Sequence, residues 1–241
     1  MSDSEPPVSG PRLRGGYLNS VVYRDGKVHK RYAGIDADAR RNLEHETLLR
    51  LSHELNVPGA VISGSRTLVL EFADGTNGQE LIRQGQPDLV LRACGEVLRR
   101  LQALDPGPLC DMLPGSGPTI VHGDFGPQNV LLCESAAVVT AILDWEFCHL
   151  GEPIEDLAWA EWIVRRHHRD AIAALPALFD GYESMPLWTV RKRSMVRTVE
   201  AMRSFAIANG HTADVRLWNE RLNDLLTWDE EEFKDDGRAP E

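Results

Sequence analysis

The sequence of 241 residues lacks the features of a membrane-spanning or secreted protein. No apolar run approaches the length of a membrane span, and the polar, Pro/Gly-rich N-terminus has no apolar signal-peptide core. We expect residues 1–12 to form a flexible tail. The four cysteines, Cys94, Cys110, Cys133 and Cys148, show no paired spacing. Reduced thiols of a cytoplasmic protein are the simplest interpretation.

Positive charge is also scarce. The chain carries 26 Lys and Arg against 37 Asp and Glu, a formal net charge of −11. This balance argues against nucleic acid or an anionic membrane surface as a partner. Between Arg100 and Arg165 there is no Lys or Arg at all. The acidic residues of that stretch are Asp105, Asp111, Asp124, Glu134, Asp144, Glu146, Glu152, Glu155, Asp156 and Glu161. A ligand bound there would meet mainly negative charge.

The pattern of the chain changes near residue 73. Before it, an Asp-Gly turn at residues 25 and 26 predicts a β-hairpin, leucines at helical spacing predict a helix over 37–55, and two short strands follow. The polar stretch ADGTNG indicates a hinge. After it, apolar periodicity predicts mainly helices, over 88–104, from Pro153 onward, and over about 187–208 and 212–227.

We therefore predict an α+β fold with two lobes. The small N-lobe covers residues 13–72 and consists of a β-sheet with one helix. The larger, mainly helical C-lobe covers residues 73–228. The last residues, 229–241, are predicted to form an acidic tail.

Lys30 is an unusual residue for its predicted position. It shares one strand face with Val28 and Tyr32, and an ammonium group that points inward needs a phosphate or a carboxylate, because its burial is otherwise costly. Glu44 lies near the apolar stripe of the following helix, and we predict it as the partner. The alternatives are a surface lysine on an edge strand, and solvated side chains for both Glu44 and Glu46.

Two motifs carry the groups that a reaction needs. Residues 121–132, VHGDFGPQNVLL, read as strand, tight loop and strand, with Asp124 and Asn129 in the loop. Residues 142–147, ILDWEF, add Asp144. A carboxylate that orients a hydroxyl and two hard oxygen ligands for Mg²⁺ are the parts of a phosphoryl-transfer site.

These two motifs, with the continuation CHLGEPIEDLAW, closely resemble the aminoglycoside phosphotransferase family of small-molecule kinases. The resemblance implies a protein-kinase-like fold and ATP as the phosphate donor, with GTP as an alternative, together with Mg²⁺. It implies that Asp124 is the catalytic base or hydroxyl orienter and that Asn129 and Asp144 bind magnesium. It also implies that His122 braces the loop and that Asp156 is a loop-bracing acid near the acceptor.

The resemblance implies a nucleotide site in the N-lobe. Lys30 would bridge the α- and β-phosphates and pair with Glu44, and Val28 would line the adenine pocket. The backbone of the hinge would meet the base, and the loop before the hairpin would cover the phosphates, although an ordinary turn is the alternative there. The remaining residues of this predicted site are Gly16, Asn19, Ser20, Glu71, Phe72 and Ala73.

The acceptor is predicted to be small, because GEPIEDLAW follows Asp144 too closely to leave room for the activation segment of a protein kinase. The acidic stretch favours a cationic hydroxyl compound, such as an aminoglycoside or another basic antibiotic, which implies a role in antibiotic resistance. The alternative is that the acidity serves only Mg²⁺ and solubility. Asp156 and Glu161 are predicted substrate contacts. Glu146, where an Asp-Phe-Gly motif would have glycine, is a third candidate for metal or substrate, or it is solvated.

Two other functions remain open. One is a metabolic kinase of choline, an amino alcohol or a sugar, which would use the same site. The other is a catalytically inactive kinase-fold module that only binds nucleotide, although the presence of Asp124, Asn129, Asp144 and Lys30 argues against it. We expect a cytoplasmic monomer or homodimer.

Overall fold

The computed structural model describes residues 19–133 and 138–229. Gly16, the predicted tail at 1–12 and nearly all of the predicted acidic tail lie outside the described residues. Within that part of the chain, no helix is both long enough and apolar enough to cross a membrane.

The N-lobe is an antiparallel sheet of four strands in the order β1-β2-β4-β3. Its elements are β1 (Ser20–Arg24), β2 (Lys27–Arg31), α1 (Ala37–Leu51), β3 (Ala60–Ile62) and β4 (Thr67–Glu71). Asp25 and Gly26 have φ angles of 52° and 74°, which is the conformation of the tight hairpin turn that these residue types favour. Helix α1 ends four residues earlier than predicted. The chain tightens there into a turn, with Leu55 N donating to Leu51 O at 2.9 Å, and Leu55 stays buried.

The C-lobe is mainly helical, with two small sheets ordered β5-β7-β8 and β6-β9. Three short 3₁₀ helices cover Gly107–Leu109, Pro127–Asn129 and Arg169–Ala174. The strands are β5 (Thr76–Asn77), β6 (Thr119–Val121), β7 (Val130–Cys133), β8 (Val138–Ile142) and β9 (His149–Gly151). The helices are α2 (Gly78–Arg83), α3 (Pro87–Gln102), α4 (Ile154–His167), α5 (Leu175–Tyr182), α6 (Trp188–Ala208) and α7 (Thr212–Thr227). The architecture is therefore the α+β, two-lobed fold that the sequence predicted.

Helices α2 and α5 were not predicted. Helix α2 has six residues, too few for a periodic apolar pattern, and it begins where Asn77 Oδ1 accepts a hydrogen bond from Gln79 N at 3.0 Å. Helix α5 packs directly on α3 through Gly95 and Gly181, where an added Cβ would overlap with the backbone of the opposite helix. Helix α3 also contacts β6 and the 3₁₀ helix Pro127–Asn129, the two elements on either side of the loop with Asp124.

The larger of two clusters of buried apolar residues continues from the N-lobe into the C-lobe. It includes Leu48 and Leu68 in the N-lobe and Phe125 and Trp145 beside the two motifs. A second cluster joins α4, α6 and α7 around Trp162 and Met195. The two motif loops lie between these clusters, on strands and helices that a packed core holds in place.

Candidate active site

Asp124 lies in the loop after β6, and its carboxylate is held from two sides. Trp159 Nε1 donates to Oδ1 at 2.8 Å, and Asn129 Nδ2 donates to Oδ2 at 3.2 Å. Burial, together with the nearby charge of Asp144, raises the pKa of Asp124 to about 7, although these two hydrogen bonds oppose the rise. The geometry therefore presents an oriented carboxylate at the C-terminal end of a buried strand.

The loop itself is braced from below by His122 and Asp156. Asp156 is 1% exposed, and its two carboxylate oxygens accept from the backbone amides of His122 at 2.7 Å and Gly123 at 3.0 Å. His122 Nε2 lies 2.9 Å from Leu143 O, and His122 Nδ1 accepts from Asp124 N at 3.2 Å. Burial lowers the pKa of His122 to about 4. A neutral imidazole with both nitrogens engaged links the two motifs.

Asn129 directly precedes β7 and Asp144 follows β8, and the pairing of these two strands brings the ends of the two loops together. Asn129 Nδ2 donates to Asp124 O at 2.8 Å as well as to the Asp124 carboxylate, so its amide oxygen is the atom that can face a cation. Leu143 N donates to Asn129 O at 2.8 Å. Asp144 has a φ of 70°, a strained conformation for a residue with a side chain.

Lys30 reaches this site from the N-lobe. Its Nζ donates to Glu44 Oε2 at 2.5 Å and also to Asp144 Oδ1, and its side chain is 5% exposed. Tyr32 Oη donates to the same Glu44 oxygen at 2.5 Å. The structure thus brings together Lys30 and Glu44, the pair that the sequence proposed, and adds Asp144 to it.

Charge pairing determines the ionisation of this group. Burial lowers the pKa of Lys30, but Asp144 and Glu44 outweigh burial and raise it well above its ordinary value. Burial raises the pKa of Asp144, but the Lys30 ammonium group outweighs it and lowers that pKa. Both groups are therefore charged at neutral pH, and the site contains an ammonium ion beside a carboxylate.

Glu146 is buried, with 4% exposure. It accepts from Asn19 Nδ2 at 2.6 Å and from Arg40 Nη1, and it lies 3.5 Å from Lys30 Nζ. The reading of Glu146 as a solvated side chain is therefore wrong. Arg40 was not singled out from the sequence, because an arginine in a first helical turn carries no signal of its partner.

The other described residues of the predicted nucleotide site lie on β1, on β2 and at the end of β4. Val28, on β2, is half-buried, as is Ser20 at the start of β1. Glu71 N donates to Gly59 O at 2.8 Å, so this amide is already used. Phe72 is 51% exposed and makes an edge contact with Tyr23, and Ala73 is half-buried. Of the predicted hinge residues, Phe72 and Ala73 therefore have the backbone groups that could hydrogen-bond to a nucleotide base.

A cavity of about 390 Å³ lies beside Asp124, under α6. Gly123, the chain neighbour of Asp124, and Trp159, its hydrogen-bond donor, both line the cavity, and Met202 contributes apolar surface. Glu155 and Arg197 line it as well, so α6 brings a cation to the acidic stretch. Trp159, whose ring stacks on Trp162 at 4.3 Å, was also missed, although it belongs to the EDLAW segment of the motif.

Glu161 corrects a prediction. It was expected to contact the acceptor near the entrance, but it is 0% exposed. Its carboxylate pairs with Arg165 Nε at 2.9 Å and with Arg191 Nη1 at 2.5 Å. Glu161 can be buried between α4 and α6 because Arg165 of α4 and Arg191 of α6 neutralise its charge.

The residues present fit a magnesium ion that is completed by phosphates. Within the described ranges, no three His, Cys, Asp or Glu side chains cluster to hold a metal by themselves. Mg²⁺, however, is usually held by one or two carboxylates together with substrate phosphates and water. The Asp144 carboxylate and the Asn129 amide oxygen provide that donor set.

Parts of this chain are similar in sequence to known proteins. A model of the phosphotransferase enzyme family matches residues 109–193, which include Asp124, Asn129 and Asp144. Acyl-CoA dehydrogenase family member 10 of Mus musculus is 45% identical over 42 residues, which are 17% of this chain. The matched residues are only 4% of that protein's length, so the similarity concerns one segment.

Solved structures cover most of the chain at low identity. The apoenzyme of macrolide 2′-phosphotransferase MphH from Brachybacterium faecium is 18% identical, with a TM-score of 0.60 over 88% of this chain and 91% of that one. The GDP complex of aminoglycoside 2′-phosphotransferase-IIIa is 14% identical, with a TM-score of 0.68 over 90% and 92%. At these identities the likeness shows the fold alone. The resemblance read from the motifs is confirmed: residues 109–193 match the phosphotransferase enzyme family, and the chain around them has its protein-kinase-like fold.

Proposed function

We propose that this chain is an ATP-dependent O-phosphotransferase that transfers the γ-phosphate to a hydroxyl of a small molecule. The observation that carries the proposal is the convergence of Lys30, Glu44 and Asp144 from two lobes, a short distance from Asp124 and Asn129. A buried ammonium, a metal-binding carboxylate and an oriented carboxylate are the parts that phosphoryl transfer uses.

Lys30 is proposed to hold the α- and β-phosphates, with Glu44 fixing its position. Its bonds to Glu44 and Asp144 neutralise the ammonium group within the buried site. Asn129 and Asp144 are proposed to hold Mg²⁺, and the chemistry that magnesium supplies at such a site is neutralisation of phosphate charge. The base would lie against Val28 and the hinge backbone at Phe72 and Ala73, and Ser20 would lie near the phosphates. ATP is our choice of donor, and GTP remains an alternative.

Asp124 is proposed to act on the acceptor. One oxygen is oriented by Trp159 and the other by Asn129, which leaves lone pairs to accept a hydrogen bond from the incoming hydroxyl. In transfer, the hydroxyl oxygen forms a bond to the γ-phosphorus, the bond to the β–γ bridging oxygen breaks, and the hydroxyl proton passes to Asp124. Positioning of this kind supplies most of the catalysis when the chemistry itself is simple.

The acceptor is proposed to enter the cavity under α6. Three carboxylates line this cavity, those of Glu152, Glu155 and Asp156. Among the described residues that line it, Arg197 is the one lysine or arginine. This excess of carboxylates supports a cationic hydroxyl compound, such as an aminoglycoside or another basic antibiotic, and hence a role in antibiotic resistance. Glu155 is already bound to His149, and Asp156 to the loop backbone, so Glu152 is the carboxylate most available to a ligand.

A metabolic kinase of an amino alcohol or a sugar is the second candidate, because it needs the same catalytic groups. The test is transfer of labelled phosphate from ATP to a panel of cationic antibiotics, amino alcohols and neutral sugars. Transfer to the cationic antibiotics supports the proposal, whereas transfer to the amino alcohols alone favours the second candidate. Transfer only to neutral sugars would contradict the cationic acceptor, and nucleotide binding without transfer to any member would favour an inactive nucleotide-binding module. We propose a cytoplasmic location for this activity.

A further inference from the structure

We propose that Arg40 and Glu146 form a connection between the lobes, in addition to the hinge and the Lys30–Asp144 contact, that positions helix α1 over the metal-binding loop. Both are positioning residues, because they act through Glu44 and Lys30 rather than on the substrate. The connection itself consists only of contacts between residues of this chain. Its effect on ATP rests on the proposed function.

The first observation is the register of the contacts along α1. Arg40 lies one helical turn before Glu44, so the two side chains leave the same face of the helix. Glu44 binds Lys30, which binds Asp144, and Arg40 binds Glu146 two residues further along. Two links therefore run side by side from α1 to the loop after β8, and together they fix both the position and the rotation of the helix.

The second observation is the burial of the new link. The side chains of Arg40 and Glu146 are 7% and 5% exposed, so they interact largely out of water. A buried carboxylate without its partner is costly. Without Arg40, Glu146 would compete for Lys30, whose Nζ lies only 3.5 Å away. Arg40 thus leaves the ammonium group of Lys30 for Glu44, Asp144 and the phosphates.

The third observation is a contact between the segment before α1 and the end of α6. Ile35 N donates to Asn209 Oδ1 at 3.2 Å, and at Gly34, where φ is 94°, an added Cβ would overlap with that side chain. The guanidinium carbon of Arg40 lies 5.5 Å from the centre of the Phe205 ring. The first turn of α1 is therefore attached to the C-lobe at two places, Glu146 and the end of α6.

Asn19 extends the connection to the strand that precedes the nucleotide site. It donates to Glu146 Oε1 at 2.6 Å and accepts from Arg40 Nη1 at 3.4 Å. The Glu146 carboxylate thus contacts the residue before β1, helix α1 and Lys30. This arrangement explains why a glutamate occupies the position after Asp-Trp: it holds the N-lobe in register with Asp144.

The experiment compares Arg40→Met, Glu146→Gln and the double variant with the unmodified chain. Hydrogen exchange of the α1 amides is measured without nucleotide, and ATP affinity is measured in EDTA, so that no metal contributes. We expect faster exchange over α1 in both single variants and about tenfold weaker ATP binding, with no further loss in the double variant, because both substitutions break one interaction.

Arg41→Met is the matched control. Arg41 is the adjacent buried arginine of α1, but it donates to Gly64 O and Ser65 O, away from the loop after β8. It is expected to lower thermal stability and to leave ATP affinity in EDTA unchanged. An equal loss of ATP affinity in Arg41→Met would overturn the proposal, since any buried arginine would then have the same effect.

Two other outcomes would also overturn it. One is unchanged α1 exchange in both single variants. The other is that Glu146→Gln needs more Mg²⁺ than the unmodified chain, that Arg40→Met does not, and that both variants bind ATP normally in EDTA. That result would make Glu146 a metal ligand. Absence of phosphate transfer by the unmodified chain would count against the proposed function only, because the exchange and EDTA measurements do not depend on transfer.

Discussion

Trp159 Nε1 donates a hydrogen bond to Asp124 Oδ1 at 2.8 Å, across the 35 residues that separate the two in sequence. Asp124 therefore depends on α4 for its orientation as well as on its own loop. The stacked rings of Trp159 and Trp162 are nearly parallel, at an interplanar angle of 4°, and Trp218 and Arg221 extend the stack. This aromatic stack holds the indole N–H at a fixed place.

Removal of that hydrogen bond should reduce the rate. Trp159→Phe retains an aromatic ring but cannot donate, and loss of a hydrogen bond to a charged group is worth about 1.5–3 kcal/mol. We expect kcat with an acceptor to fall about tenfold or more while the Kd for ATP stays unchanged. Trp218→Phe, in the same stack but without contact to Asp124, is the control. Equal kcat values in the two variants would contradict a role for the indole N–H.

Removal of the Asp124 charge should have a larger effect. Asp124→Asn preserves shape but cannot accept the hydroxyl proton, and acid–base groups contribute about 10²–10⁴ to the rate. We expect kcat to fall within that range and the Kd for ATP to change little. Asp111→Asn, an exposed aspartate of the same acidic stretch, should behave like the unmodified chain. Turnover at the unmodified rate in Asp124→Asn would disprove its assignment.

Lys30 and Lys27 offer a matched pair on one strand. Lys30 is buried against Glu44 and Asp144, whereas Lys27 is exposed near Glu71. Lys30→Ala should weaken Mg-ATP binding by about tenfold or more, because a charge-assisted contact to phosphate is lost. Lys27→Ala should leave the dissociation constant unchanged. Calorimetric titration measures both, and equal constants for the two variants would place Lys30 outside the nucleotide site.

The His149–Glu155 pair predicts a pH dependence of stability. The two groups are 3.0 Å apart. Burial lowers the pKa of His149, but its bonds to Glu155 and to Phe147 O together outweigh burial and raise the pKa, while the bond to His149 lowers the pKa of Glu155. The histidine contribution is present below about pH 6.5 and is lost as the pH rises through its raised pKa. The glutamate contribution is present above about pH 4.5 and is lost as the pH falls through its lowered pKa.

The pair should therefore stabilise the protein most between about pH 4.5 and 6.5. We expect Glu155→Gln to lower the free energy of unfolding more at about pH 5.5 than at about pH 9, which is well above the ordinary pKa of a histidine. Urea unfolding at the two pH values measures the difference. Glu152→Gln, a neighbouring exposed carboxylate, is the control. The same destabilisation by Glu155→Gln at both values would show that the pair is not ionic.

Glu161 is predicted to be structural. Its carboxylate is buried between Arg165 and Arg191, and removal of one partner from a buried ion pair typically costs about 3–5 kcal/mol. Glu161→Gln should lower the free energy of unfolding by about that amount. In the fraction that remains folded, the KM for the acceptor should not change. A raised KM without a loss of stability would return Glu161 to the acceptor site.

Local signals were sufficient for part of this site. The turn at Asp25-Gly26 and the loops with Asp124, Asn129 and Asp144 depend on residues close in sequence, and the structure has them where the pattern predicted. Lys30 and Glu44 could be paired because each stood out as a charge on an apolar face. Arg40, Trp159 and Arg197 had no such signal, because an arginine or tryptophan in a helix is compatible with many partners.

The sequence by itself determined the motifs, the order of the lobes and the family resemblance, since these depend on residue type and spacing. Only the tertiary structure decided which charges meet. It turned Glu161 inward to two arginines, paired Glu146 with Arg40, and brought Arg197 to a cavity beside a stretch that has no positive charge of its own. The physical reason is that an ion pair forms between side chains that packing places within a few ångströms of each other. The packing of α1 and α6 against the motif loops depends on residues far apart in sequence, so no local pattern predicts it.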